Sequence, residues 1–147
     1  MRILGIDPGL RLCGYAVVDC KSGTDALVEA GVLRIDTKPP LEYRLRQIDE
    51  DIESVLDDLK PEIVAVEKLY SHYAHPETAI LMGHARGVIL QKAASKNIEV
   101  KSFAATRIKK SLTGNGRASK HQMQLSIQTV LALPEPPQPN DVADAIA

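Results

Sequence analysis

Four acidic residues stand where their carboxylates could converge on one point. Asp7 ends a short apolar segment, Glu67 directly follows the apolar run at residues 63–66, and Asp141 and Asp144 lie three residues apart near the end of the chain. Converging carboxylates repel one another and need a cation, and oxygen ligands without Cys or His select Mg²⁺ or Mn²⁺. Two such ions can activate water and stabilise the leaving oxygen of a phosphodiester. The four acids therefore predict a metal-dependent phosphodiester hydrolase.

Each of these acids also has a purely structural interpretation. Asp7 precedes Pro8-Gly9 and suits a turn in which an aspartate bonds its own backbone. Glu67 suits a surface acid at a strand end. Asp141 suits a helix cap, and Asp144 suits a solvated residue in the first turn of a helix. Taken one at a time, the acids leave both interpretations open.

The apolar pattern predicts the elements that carry the acids. Strands are expected at residues 2–7, 14–18, 27–35, 63–66 and 97–103. Helices are expected at residues 41–59, 77–96, 104–112, 120–131 and 142–147, the last capped by Asn140 or Asp141. If the first and fourth strands are parallel neighbours, Asp7 and Glu67 emerge at one sheet edge. This order predicts one α/β domain over residues 1–147, with a five-stranded mixed sheet flanked by helices.

Length and composition favour a small globular domain. The chain has 147 residues, of which 44% are apolar. No apolar run of about 18 residues occurs, so no membrane span is expected. The N-terminus lacks a signal-peptide layout, and cytoplasmic residence is the expectation. The last helical pattern has no stop signal before Ala147, which favours a truncated C-terminal tail. Cys13 and Cys20 lie too far apart on one strand for a disulfide, and two cysteines alone do not make a zinc site.

The charge distribution is uneven although the net charge is only −1. Residues 84–121 contain nine Lys or Arg and one acid, whereas the remainder contains nine bases and eighteen acids. A basic segment inside a nearly neutral chain is typical of a surface that binds phosphates. The alternative is a solvated basic helix surface with no ligand.

Several motifs together resemble a known family. They are GIDPG at residues 5–9, GYAVV at 14–18, VAVEKLY at 64–70, LMGHARGVIL at 81–90, AATRIKKSLTGNGRASKHQMQ at 104–124 and DVADAIA at 141–147. In this order and spacing they resemble the RuvC Holliday-junction resolvases, a family with the RNase H-like fold. The resemblance covers essentially the whole chain, lacking only a short tail.

The resemblance implies an endonuclease that resolves four-way DNA junctions by symmetric paired nicks during recombination and repair. It implies that the four acids are the catalytic metal ligands, holding two Mg²⁺ ions per site with Mn²⁺ as a substitute. Tyr70 is the aromatic residue expected to stack on an unpaired base at the junction centre. The family's basic DNA-binding residues fall on Lys109 and Lys120. Further phosphate contacts are expected from Arg86, Lys110 and Arg117.

The resemblance also implies partners. A homodimer is expected because two symmetric cuts need two active sites related by a two-fold axis. The helix at residues 77–96 is the expected interface, although its small and apolar residues could instead pack on the sheet. These residues are Ala79, Ile80, Gly83, Gly87 and Leu90. Branch-migration motor proteins are a further expectation from the family.

Three other functions compete with a junction resolvase. Another RNase H-like nuclease would cut RNA or simple duplexes, and a protein of the sugar-kinase and actin type would bind ATP. A non-catalytic junction binder would keep its function when the four acids are replaced by neutral residues. The chain is too short for the second lobe of the kinase type, and the presence of all four acids argues against the non-catalytic binder. We expect no metal at His72 and His75, which lie in a polar loop.

Overall fold

The computed structural model describes residues 1–69 and 76–147. In these ranges, five strands form one mixed sheet with the order β3-β2-β1-β4-β5. The strands are β1 Arg2–Asp7, β2 Leu12–Lys21, β3 Thr24–Arg34, β4 Ile63–Glu67 and β5 Glu99–Phe103. The helices are α1 Leu41–Leu59, α2 Pro76–Ser95, α3 Ala105–Thr113, α4 Lys120–Val130 and α5 Asn140–Ile146. The five-stranded mixed α/β sheet predicted from the sequence is therefore confirmed.

The first three strands form an antiparallel meander, in which β2 and β3 are longer than expected. Their pairing continues to Lys21 and Thr24, beyond the apolar stretches of both strands. Backbone hydrogen bonds carry this outer part of the hairpin, and its exposed residues give no periodic apolar signal. Cys13 and Cys20 both lie on β2, and both are free thiols.

The pairing of β1 with β4 fixes the edge on which the acids lie. The two strands are parallel, and Ile6 is paired with Val66. The next residue on each strand, Asp7 and Glu67, therefore emerges at the same end of the sheet. This neighbouring parallel arrangement is the one that the sequence analysis required.

Helices α1 and α2 cover one face of the sheet. Ile48 and Ile52 of α1 and Ile89 of α2 are fully buried against Leu4 and Val64 of the central strands. Burying such side chains stabilises the fold by about 1.5–3 kcal/mol each. No helix within the described residues is long and apolar enough to cross a membrane.

Helix α5 covers the other face, where it packs on β1 and β2 through Val142, Ala143 and Ala145. The prediction that Asn140 or Asp141 caps this helix is wrong. The N-cap is Pro139, no side chain caps the helix, and Asn140 is already helical. Capping therefore does not explain why an aspartate stands at position 141.

Candidate active site

All four predicted acids come together at the end of the sheet where β1 and β4 finish. Asp7 ends β1, Glu67 ends β4, and the first turns of α5 carry Asp141 and Asp144. The charges of Asp144, Asp141 and Glu67 each raise the pKa of Asp7, which shows that the four carboxylates share one electrostatic environment. The chain thus gathers acids from three separate segments into one cluster, called the acid cluster below.

Asp7 is the most strongly perturbed member of the acid cluster. Burial is the main cause that raises its pKa to about 7, followed by repulsion from Asp144, Asp141 and Glu67, while Lys120 lowers it. The carboxyl lies at a cavity of about 310 Å³ whose walls are mostly apolar, including Ile6. A carboxylate held among like charges beside an apolar wall is poised to accept a cation.

Two lysines approach the acid cluster from the basic segment. Burial and the charge of Asp144 raise the pKa of Glu67, and the charges of Lys109 and Lys120 oppose that rise. The Nζ atom of Lys120 lies 3.3 Å from Oδ2 of Asp144. Lys120 is the first residue of α4, whose start is fixed by a capping box between Ser119 and Gln122. The two bases assigned by family resemblance therefore lie beside the acids.

The residues of the acid cluster fit a hard divalent cation by their chemistry. The set consists of carboxylate oxygens only, which is what Mg²⁺ and Mn²⁺ prefer. Burial first, and then repulsion from the other three acids, raises the pKa of Asp7, and a bound cation would offset both effects. As the side chains lie, no three acidic, His or Cys residues in the described part of the chain enclose a single ion position. The acid cluster therefore contains suitable ligands, and its side chains must move closer together to coordinate an ion.

Two glycines allow α5 to lie directly on the sheet. A methyl group at Gly14 would overlap the carbonyl oxygen of Asp141, and one at Gly5 would overlap the carbonyl oxygen of Ala145. Glycine in a strand commonly marks such a close approach of another backbone segment. Gly5 and Gly14 thus set the height at which α5 holds Asp141 and Asp144 over the ends of β1 and β4.

Arg86 has a structural role that sequence reasoning did not find. Its Nε donates a hydrogen bond to the carbonyl oxygen of Glu67 at 3.1 Å, and its Nη2 donates to Oγ of Ser102 at 2.8 Å. The guanidinium therefore ties α2 to the ends of β4 and β5, beneath a residue of the acid cluster. Its expected phosphate contact remains a prediction.

The basic segment is less available to phosphates than its charge suggested. Lys92 pairs with Asp49 at 2.9 Å, Lys96 pairs with Glu53 at 3.3 Å, and Lys101 pairs with Glu99. These acids lie on α1 or on the same strand, so the lysines serve helix packing and local pairing. The predicted DNA contacts are elsewhere: Lys110 and Arg117 are exposed, Lys109 is half-buried, and Lys120 faces Asp144.

The predicted stacking residue Tyr70 lies outside the described residues, as do His72 and His75. Their roles stay predictions from the sequence.

The chain is similar to known proteins over nearly its whole length. The family described as crossover junction endodeoxyribonuclease RuvC matches residues 3–147. The protein of that name from Rhodopirellula baltica is 48% identical over 145 residues, covering 99% of this chain and 82% of the relative. These matches span nearly the whole chain.

Solved structures give the same result. The Thermus thermophilus RuvC structure superimposes with a TM-score of 0.88 at 32% identity, covering 99% of this chain and 89% of that one. T. thermophilus RuvC in complex with a Holliday junction substrate gives a TM-score of 0.89 at 28% identity, with the same coverage. The expected RNase H-like fold class is thereby confirmed, and the chain belongs to the RuvC family of crossover junction endodeoxyribonucleases.

Proposed function

We propose that this chain is a metal-dependent endonuclease that resolves four-way (Holliday) DNA junctions by a pair of symmetric nicks. The observation that carries the proposal is the convergence of Asp7, Glu67, Asp141 and Asp144 at one sheet edge in a chain of the RuvC family. The T. thermophilus neighbour that holds a Holliday junction substrate supports the choice of substrate.

Nucleases of this family are metal-dependent, and we assign the ligands to the acid cluster. Mg²⁺, with Mn²⁺ as a substitute and two ions per site, suits a ligand set made only of carboxylates. Bound ions supply an activated water and stabilise the leaving oxygen of the phosphodiester. The chain contributes position: β1 and β4 fix Asp7 and Glu67, and α5 presents Asp141 and Asp144 from above.

The basic residues next to the acid cluster are assigned to the DNA backbone. Lys109 and Lys120 already act electrostatically on Glu67, so a phosphate bound beside the acids would lie within their reach. Lys110 and Arg117, both exposed, are assigned to further phosphates of the DNA. Tyr70 is assigned to the unpaired bases at the junction centre, because an aromatic ring stacks on any base.

We assign the homodimer interface to α2. Ile80 is 63% exposed, and a side chain added at Gly83 or Gly87 would meet no atom of the described chain within 4 Å. These residues share one helix face, opposite to the buried Ala85 and Ile89. The face therefore offers a close approach to a second copy. Branch-migration motor proteins remain an expected further partner.

Ile80→Glu is expected to convert the dimer into a monomer, because it places a charge in the apolar centre of the α2 interface. Light scattering should give about twice the chain mass of 16.0 kDa for the native protein and the single mass for the variant. The variant should also lose paired nicking. Lys60→Gln, which also makes the net charge more negative by one, at an exposed position beyond α1, is the control for charge alone. If the native protein is a monomer when bound to a junction, or if Ile80→Glu is still a dimer, the assignment of the dimer interface to α2 is wrong.

The substrate test compares three nucleic acids of equal length and sequence content in Mg²⁺. We expect cutting of a four-way junction and little or no cutting of linear duplex or RNA–DNA hybrid. The junction products should be nicks with 5′-phosphate ends that a ligase can seal. Preferential cutting of the hybrid would instead favour another RNase H-like nuclease.

A further inference from the structure

A second basic surface lies on the opposite side of the acid cluster from the lysines of α3 and α4. It is an open groove of about 810 Å³. Three arginines line it, together with two threonine hydroxyls and one member of the acid cluster. These residues are Arg11, Arg34, Arg44, Thr37, Thr78 and Asp141. The feature is called the arginine groove below.

The fold brings the three arginines together from distant segments. Leu12 is paired with Arg34 across β2 and β3, and the amide of Ile35 donates to the carbonyl oxygen of Arg11, so Arg11 and Arg34 are neighbours at this sheet end. Arg44, from the first turns of α1, donates through Nη2 to the carbonyl oxygen of Leu10. The register of β2 and β3, together with the position of α1, therefore places three positive charges on one concave surface.

These charges have no carboxylate partner in the part of the chain that the structure describes. Within residues 1–69 and 76–147, no carboxylate oxygen lies within 4.0 Å of any of the three guanidinium groups. By contrast, Arg2 and Arg46 have carboxylate partners. Nε of Arg44 is buried and has no hydrogen-bond partner among the described residues. Like charges gathered without a partner are the arrangement expected of an anion site, and guanidinium groups suit phosphate oxygens in particular.

We propose that the arginine groove binds the phosphodiester backbone of the DNA strand next to the scissile phosphate. Asp141 belongs both to the groove and to the acid cluster, so a strand in the groove leads directly to the carboxylates. Lys109 and Lys120 lie at the Glu67 and Asp144 side of the cluster. The strand would thus be held by arginines on one side of the reacting phosphate and by lysines on the other.

This arrangement explains how an acidic cluster can accept a polyanion. The four carboxylates repel DNA, and basic residues on only one flank would pull the strand past the site. Positive charge on both flanks opposes that repulsion and fixes the position of the phosphate between them. The inference rests on the proposed function and adds three residues to its DNA-binding surface.

The test measures junction binding without divalent metal over a range of salt concentrations. Each phosphate contact that is lost should reduce the slope of log K against log salt by about 1. The double variant Arg11→Ala/Arg34→Ala should therefore lower the slope by about 2. The control is Lys21→Ala, which removes one charge from the exposed hairpin at the opposite sheet end. Arg44 is left in place because it also holds the backbone at Leu10.

A second measurement locates the contact. Single phosphates on each side of the cleavage position are replaced by uncharged methylphosphonates. One or two replacements on one side should weaken junction binding by the native protein. The same replacements should not weaken binding by the double variant any further, because that variant already lacks the arginine that pairs with the phosphate. Adding inorganic phosphate at constant ionic strength should not remove the native protein's preference for those positions, since the proposed ligand is the DNA strand.

The outcomes separate this inference from the proposed function. A double variant with the same slope as Lys21→Ala, or additive losses at every methylphosphonate, would overturn the groove assignment while leaving the resolvase intact. A native protein that does not prefer junctions to linear duplex would instead overturn the proposed function. Thermal melts of the two variants, whose exposed side chains lie outside the core, should match the native melt.

Discussion

Asp7→Asn is expected to abolish junction cleavage and, in the absence of metal, to make the protein more stable at pH 8. Loss of one ligand at the reacting phosphate removes several kcal/mol of transition-state stabilisation, which corresponds to about 10³-fold in rate or more. Junction binding should persist or strengthen, because the variant carries one negative charge less near the DNA. A single change should therefore move activity and stability in opposite directions.

The stability effect follows from the pKa of Asp7, which burial and neighbouring carboxylates raise from 3.8 to about 7. As pH rises through this window, the unfolded chain loses the Asp7 proton while the folded chain retains it. The folded state binds more protons, so the free energy of unfolding falls with rising pH. Above about pH 7 the full penalty of about 4 kcal/mol applies. Asparagine cannot ionise, but it is also polar, so we expect a gain on the order of 2 kcal/mol.

Thermal melts of the metal-free proteins at pH 4 and pH 8 test this prediction. The difference between Asp7→Asn and the native protein should be small at pH 4 and large at pH 8. Addition of Mg²⁺ should then stabilise the native protein more than the variant. Asp58→Asn, at an exposed position on α1, should show neither effect. A variant that melts at the native temperature at both pH values would show that ionised Asp7 does not destabilise the folded protein.

Gly14→Ala is expected to damage the site although it adds only one methyl group, at a position more than 120 residues before Asp141 and Asp144. The methyl group would overlap the carbonyl oxygen of Asp141, so α5 must move away from the sheet. Overpacking of this kind costs about 1–3 kcal/mol of stability. A displacement of about 1 Å at a reacting group can cost about 10²-fold in rate, and we expect at least that loss in junction cleavage.

The matched control is Gly31→Ala, the same substitution in the neighbouring strand. There the added methyl group meets the ring of Tyr15, a side chain that can turn aside, rather than backbone. Cleavage by Gly31→Ala should stay close to native, and its melting temperature should fall less. If Gly14→Ala cuts junctions at the native rate, α5 does not depend on this contact to place Asp141 and Asp144.

The sequence predicted the part of the site that depends on local pattern. Strand ends are visible in the apolar runs before Asp7 and Glu67, and parallel pairing of those strands suffices to bring the two acids together. The positions of Asp141 and Asp144 depend on how α5 packs. That packing rests on contacts with Gly5 and Gly14, more than 120 residues earlier in the chain, which no local pattern reveals. Family resemblance supplied what periodicity could not.

Counting charges along the sequence identified only some of the basic residues that are available to DNA. The count over residues 84–121 included Lys92 and Lys96, whose charges are matched by acids on α1. The same count passed over Arg11 and Arg34, because they lie in the half of the chain where acids outnumber bases. A charge is available to DNA according to its neighbours in space, and those become visible only once the strands and helices are packed.

The most direct test of the account maps the cuts that the native protein and Glu67→Gln make on a four-way junction in Mg²⁺. Glu67 is chosen because it is the last residue of β4, so its place in the acid cluster follows directly from the strand pairing. We predict two nicks at symmetric positions in strands of like polarity for the native protein, both lost in Glu67→Gln while junction binding is retained. Native-rate cutting by Glu67→Gln would contradict the assignment of the acid cluster as the active site.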